Sequence, residues 1–163
     1  MKLTLWKKKD KPAKSDAEQA KKFFRKKDNN DDDTNRERKI RVLMVDDEEG
    51  FARLTKRNLE THGGFVVHTE NRAKDAVPAA QTFRPDIILL DVMMPDGDGG
   101  EVAAKLSDLP DLKDVPIMFL TAAIKGSELG HKPGGFIGGR FYIAKPVSTN
   151  ELVGYINQHV VMA

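Results

Sequence analysis

The 163-residue chain contains no cysteine. Disulfides and thiolate metal sites are therefore excluded, and the composition suits a reducing, cytoplasmic setting. No apolar run approaches the roughly 18 residues that a membrane-spanning helix needs. The opening "MKLTLW" has no basic segment ahead of its short apolar stretch, so it does not read as a secretory signal. The histidines, His62, His68, His131 and His159, lack metal-ligand spacing and read as surface or packing residues. Aliphatic residues are scarce between Leu5 and Lys39, and that stretch cannot bury enough apolar surface to offset the entropy of ordering.

Charge is unevenly distributed. Residues 1–39 hold 14 Lys/Arg against 8 Asp/Glu, and residues 40–163 hold 13 against 17. The net charge of +2 thus hides a basic extension joined to an acidic domain. Residues 1–39 read as a disordered basic and polar extension. "WKKKDKPAK" and "KKFFRKK" set Trp6, Phe23 and Phe24 among lysines, which suits weak contact with an anionic membrane or nucleic acid.

From Ile40 the pattern becomes regular. "IRVLMV" (40–45), "FVVHTE" (65–70), "DIILL" (86–90), "VPIMFLT" (115–121) and "RFYIA" (140–144) read as strands. Helical segments alternate with them. Residues 50–62 place Phe51, Leu54 and Leu59 towards one face. Residues 71–83 follow, with Pro78 kinking the helix or shortening its start. Residues 100–106 form a short helix, and 148–160 a closing helix with a Ser148–Glu151 capping box. Strands apolar on both faces, alternating with helices, predict a five-stranded doubly wound parallel sheet over residues 40–163.

Ligands of such sheets sit beyond the carboxyl ends of the strands. Strand one ends in Asp46 and Asp47, followed by Glu48 and Glu49; strand three ends in Asp91, strand four in Thr121, and strand five in Lys145-Pro146. Carboxylates gathered at one edge repel, and a hard divalent cation such as Mg²⁺ removes the difficulty. Lys145 offers a point charge and Thr121 a hydroxyl to phosphoryl oxygens. The set therefore points to phosphoryl transfer, with Asp91 as nucleophile. Asp96 and Asp98 read as loop and N-cap residues.

The motifs "VLMVDDEEG", "DVMMPDGDG", "FLTA" and "YIAKP" occur in an order that resembles the receiver domain of bacterial two-component response regulators. The separations agree with that family too: 44 residues from Asp47 to Asp91, 30 to Thr121 and 24 to Lys145. The resemblance implies a flavodoxin-like fold in which Asp91 accepts phosphate from a sensor histidine kinase or phosphotransfer protein. It implies Mg²⁺ held by Asp47, Asp91 and the backbone carbonyl of Met93, with Asp46 assisting through water. Thr121 and Lys145 would bind phosphoryl oxygens, Tyr142 would be the switch aromatic, and Lys145-Pro146 would be cis. The only catalysis implied is the protein's own phosphorylation and dephosphorylation, and the signal would pass to a separate downstream protein.

Two features depart from the family. "AAIKGSELGHKPGGFIGG" stands where a fourth helix is usual, and its six glycines and Pro133 oppose helix formation. A shortened or irregular fourth helix, with a mobile and mostly non-helical segment over 125–139, is expected. The chain also ends soon after the closing helix, which suggests a single-domain regulator without sequence-specific DNA binding. Two other readings stand beside this one. A receiver-like binding module acting without phosphorylation would have no need of the acid pair, threonine and lysine. A phosphatase with an aspartyl nucleophile would want a second Asp two residues on, where Met93 stands.

Overall fold

The computed structural model describes residues 38–122 and 134–160. The basic extension up to residue 37 lies outside them, as do residues 125–133 of the expected mobile segment. Among the described residues, strands and helices alternate: β1 (Ile40–Val45), α1 (Glu49–His62), β2 (Phe65–Glu70), α2 (Ala76–Phe83), β3 (Ile87–Asp91), the two-residue strands β4 (Met93–Met94) and β5 (Gly97–Asp98), α3 (Gly99–Ser107), β6 (Ile117–Thr121), β7 (Gly134–Ile137), β8 (Arg140–Ala144) and α4 (Thr149–Val160). A 3₁₀ turn, Ala73–Asp75, precedes α2, so the helix starts two residues before Pro78. That placement puts Pro78 in the first turn, where the missing N–H costs no helical bond.

The main sheet has the order β2-β1-β3-β6-β8-β7. The first five strands pair in parallel, as the sequence pattern predicts. Alternate strand residues feed two cores. Val42, Met44, Ile87 and Leu89 face Leu59 of α1 and Ile156 of α4. Leu43, Val45, Ile88 and Leu90 face Ala80 of α2 and Leu106 of α3. Helices thus cover both faces, and β1, β3 and β6 are buried on each. Leu54, expected on the inner face of α1, is instead 55% exposed, and Ala52, Thr55 and Leu59 take the buried positions. The small Ala52 and Thr55 let the helix lie close to the strands.

The sixth strand is a departure from the five expected. Gly134–Ile137 pairs antiparallel with β8, from Gly134↔Ile143 to Ile137↔Arg140. Gly138 and Gly139 form the two-residue turn with φ of 56° and 79°. Positive φ at both positions is the geometry that lets a tight hairpin follow the twist of its strands, and glycine reaches it without strain. The described part of the glycine-rich segment is therefore an edge strand.

Candidate functional site

The strand order reverses at β1: β2 lies on one side and β3 on the other. Such a switch point opens a crevice at the carboxyl ends of the two strands. Asp46 follows β1 and Asp91 ends β3, so the sheet places both carboxylates there. Asp46 is fully buried and Asp91 almost so. Lys145 follows β8, two strands away from β3, and its long stem carries the ammonium back to the crevice.

Lys145 Nζ lies 2.6 Å from Asp46 Oδ2, 3.0 Å from Asp91 Oδ2 and 3.0 Å from Glu48 Oε1. The contacts to Glu48 and Asp91 are hydrogen bonds donated by the ammonium. The approach to Asp46 is an ion pair without the direction of a hydrogen bond, and Asp46 Oδ2 receives none. Lys145 Nζ also stands 4.6 Å from the centroid of the Phe51 ring, within cation–π range. Burial alone would lower the ammonium's pKa, but the nearby Asp46 carboxylate, with the hydrogen bonds to Glu48 and Asp91, outweighs burial and holds it above the ordinary lysine value. Asp46 moves in the opposite sense from a free acid's preference for charge. Its burial pushes the carboxyl up, against the opposing pull of Lys145.

The rest of the crevice is held by backbone. Asp46 Oδ1 accepts from the Glu48 N–H at 3.0 Å, and the Asp46 carbonyl accepts from Asn71 Nδ2 at 2.8 Å. Asp91 Oδ1 accepts from the Met93 N–H at 3.2 Å. The Met93 side chain is 69% exposed beside the site. Gly99 N donates to Val92 O at 2.9 Å. A Cβ at Gly99 would lie 2.1 Å from Asp91 O, so only glycine permits this packing of α3 against the end of β3. Asp98 caps α3 through the Gly100 N–H, and Asp96 accepts from the Ala73 N–H at 3.0 Å, which ties the loop to the 3₁₀ turn. Both act in the loop and cap roles read from the sequence.

Of the expected site residues, Asp46, Asp91 and Lys145 meet directly. Thr121 is buried at the end of β6, and its carbonyl accepts from Lys145 N at 2.9 Å. The Lys145-Pro146 bond is cis. Tyr142 is half-buried, in register with Phe119, and its ring stacks on Phe119 with centroids 4.9 Å apart. Asp47 is half-buried and lines a neighbouring open cleft of about 300 Å³ with Asn71, Arg72, Lys74, Pro95 and Asp96. The carboxylates whose oxygens converge within 4.8 Å are Asp46, Glu48 and Asp91. Glu48, to which the sequence assigned no role, is a direct partner of Lys145. The helical periodicity marks Phe51 only as a residue of the inner face. The signal for Glu48 lay in its position, two residues after Asp46 at the same strand end.

Oxygen donors of Asp46, Glu48 and Asp91 that converge around the positive charge of Lys145 suit a hard cation such as Mg²⁺. The description "response regulator receiver domain" matches residues 42–157. The chain belongs to the response regulator receiver domain family. Its receiver domain is 35% identical over 116 residues to the phosphate regulon transcriptional regulatory protein PhoB of Rhizobium meliloti, covering 71% of this chain and 50% of that protein. The chain thus spans about half the length of that relative. Among solved structures, a response regulator of Chloroflexus aurantiacus superposes with a TM-score of 0.63 at 28% identity, over 75% of this chain and 98% of the other. The chemotaxis response regulator CheY4 of Vibrio cholerae gives 0.62 at 26% identity, over 74% and 98%. The receiver fold and its place in two-component signalling follow from these matches.

Proposed function

We propose that this receiver domain takes a phosphoryl group on Asp91 from the phosphohistidine of a sensor histidine kinase or phosphotransfer protein. The observation that carries the reading is the Asp91 carboxylate at the switch point, with Oδ2 in a hydrogen bond to Lys145 Nζ at 3.0 Å and Asp46 alongside. A carboxylate oxygen of Asp91 forms the new bond to phosphorus as the bond from phosphorus to the imidazole nitrogen breaks. The electron pair of that bond stays on the imidazole, and the product is an aspartyl phosphate. Asp47, Asp91 and the Met93 carbonyl would hold Mg²⁺, with Asp46 assisting through water, as the family pattern implies. Bound there, the ion supplies positive charge against the phosphoryl oxygens. Lys145 swings its ammonium to one phosphoryl oxygen and Thr121 donates its hydroxyl to another. Tyr142 leaves its stack on Phe119 as Thr121 moves, which changes the surface shown to a separate downstream protein.

The setting is cytoplasmic, and the protein catalyses only its own phosphorylation and dephosphorylation. Among the described residues, no helix is long and apolar enough to cross a membrane. Intact-mass measurement after acetyl phosphate and Mg²⁺ is expected to show one added phosphoryl group, absent in Asp91→Asn. Full labelling of Asp91→Asn would overturn the assignment, and no labelling of the wild type would favour a module that acts without phosphorylation.

A further inference from the structure

An ammonium has three N–H donors. Here one goes to Asp91 and one to Glu48, while Asp46 Oδ2, the nearest acceptor at 2.6 Å, is left without a directed bond. The ammonium is thus shared among three carboxylates, with Glu48 holding one of its directed bonds. Glu48 differs from the other two carboxylates in exposure. Its side chain is 60% exposed, against 1% for Asp46 and 8% for Asp91. Water can solvate it at little cost once the lysine leaves, whereas the buried acids cannot be so relieved. Phe51, one helical turn on from Glu48, covers the same ammonium with its ring at 4.6 Å. The entry to α1 thus closes over Lys145 on the solvent side.

We propose that Glu48 is a positioning residue that holds the Lys145 ammonium in a resting place and competes for it with the phosphoryl group on Asp91. The inference rests on Asp91 being the acceptor. When a phosphoryl group arrives, Lys145 must turn a donor towards one of its oxygens. Glu48 gives up its share first, because its carboxylate returns to water. Glu48 thereby sets how readily the occupied state forms, without touching the transferred group.

The test uses the full-length protein, with beryllofluoride as a phosphoryl mimic in saturating Mg²⁺. Glu48→Gln removes the charge but keeps an amide oxygen that can still accept from Lys145, which loosens the hold on the ammonium. Glu48→Asp keeps the charge but is one methylene too short to reach Lys145. Both variants are expected to bind beryllofluoride about two- to fivefold more tightly than wild type, the range of a solvent-exposed pair. Mg²⁺ alone is expected to bind Glu48→Asp within about twofold of wild type, since altering a residue that holds the metal or orients its ligands typically costs about tenfold or more. The ¹⁵N resonance of the Lys145 ammonium is expected to shift or broaden in both variants. Wild-type beryllofluoride affinity in Glu48→Asp would overturn the proposal, leaving only a through-space charge effect. A loss of Mg²⁺ affinity of about tenfold or more in Glu48→Asp would overturn it in favour of a role in building the metal site. If wild type itself bound no beryllofluoride, the reading of Asp91 would fail instead, a result distinct from variants that match a wild type that binds.

Discussion

At the scale of single residues, Lys145 is a structural counter-charge as well as the proposed donor to a phosphoryl oxygen. Its ammonium is the positive group that faces two buried carboxylates. Truncating it leaves those charges uncompensated, which typically destabilises by about 3–5 kcal/mol. Lys145→Ala is expected to lower unfolding stability by about 3 kcal/mol in the absence of metal. Mg²⁺ should stabilise this variant more than it stabilises wild type, because the cation takes over the missing charge. Urea unfolding with and without Mg²⁺ checks both statements, and equal stabilisation of the two proteins would count against a cation site among these acids. Much of this site was legible from the chain. Asp46, Asp91, Thr121 and Lys145 could be placed because each ends an apolar strand and a parallel sheet brings strand ends together. Glu48 and Phe51 were not, because they begin a helix. Whether a first-turn side chain folds over the crevice depends on rotamers and on the reach of a lysine 97 residues away.

At the scale of elements, the helix starts show how local sequence fixes geometry around the site. Ser148 and Glu151 form a reciprocal box at the head of α4. Ser148 N donates to Glu151 Oε2 at 3.0 Å, and Glu151 N donates to Ser148 Oγ at 3.3 Å. The Ser148 hydroxyl, with its backbone N–H, holds the Glu151 carboxyl below the ordinary glutamate range. A lowered folded-state value means that the bond stabilises the fold above the unfolded-state pKa and is lost as pH falls through the folded one. Ser148→Ala is expected to lower the melting temperature near neutral pH, and the difference from wild type should shrink as pH drops below the glutamate range. Thermal melts of the two proteins across that range test it, and a difference independent of pH would show that the box stabilises without the charge. The box was readable because it is a contact three residues apart. Leu54 was misplaced by the same kind of reading, since helical periodicity gives a face but not the depth at which small residues such as Ala52 let the helix sit.

At the scale of the molecule, the five parallel strands and the helices on both faces were legible because continuous apolar runs leave few other ways to bury them. The sixth strand was not. Gly134 to Ile137 lacks the alternation of a half-buried strand, and Phe136 is 70% exposed. Its one clear signal was the Gly138-Gly139 pair between two short segments, the mark of a tight hairpin. Because β7 occupies the edge, β8 is bonded on both sides, to β6 and to β7. The buried Phe141 and Ile143 fix the register of β8, since a slip of one residue would turn each side chain to the opposite face and move Lys145 by about 3.3 Å. That shift exceeds the 3.0 Å that separates its ammonium from Asp91. The hairpin reinforces that register: a surface strand with no side chain in the crevice helps hold the tolerance to which charge is delivered there. Native-state hydrogen exchange should show slow exchange at consecutive amides of β8, where a marginal strand would protect only alternate ones. An alternating pattern would mean that β7 opens independently and that this hold is loose.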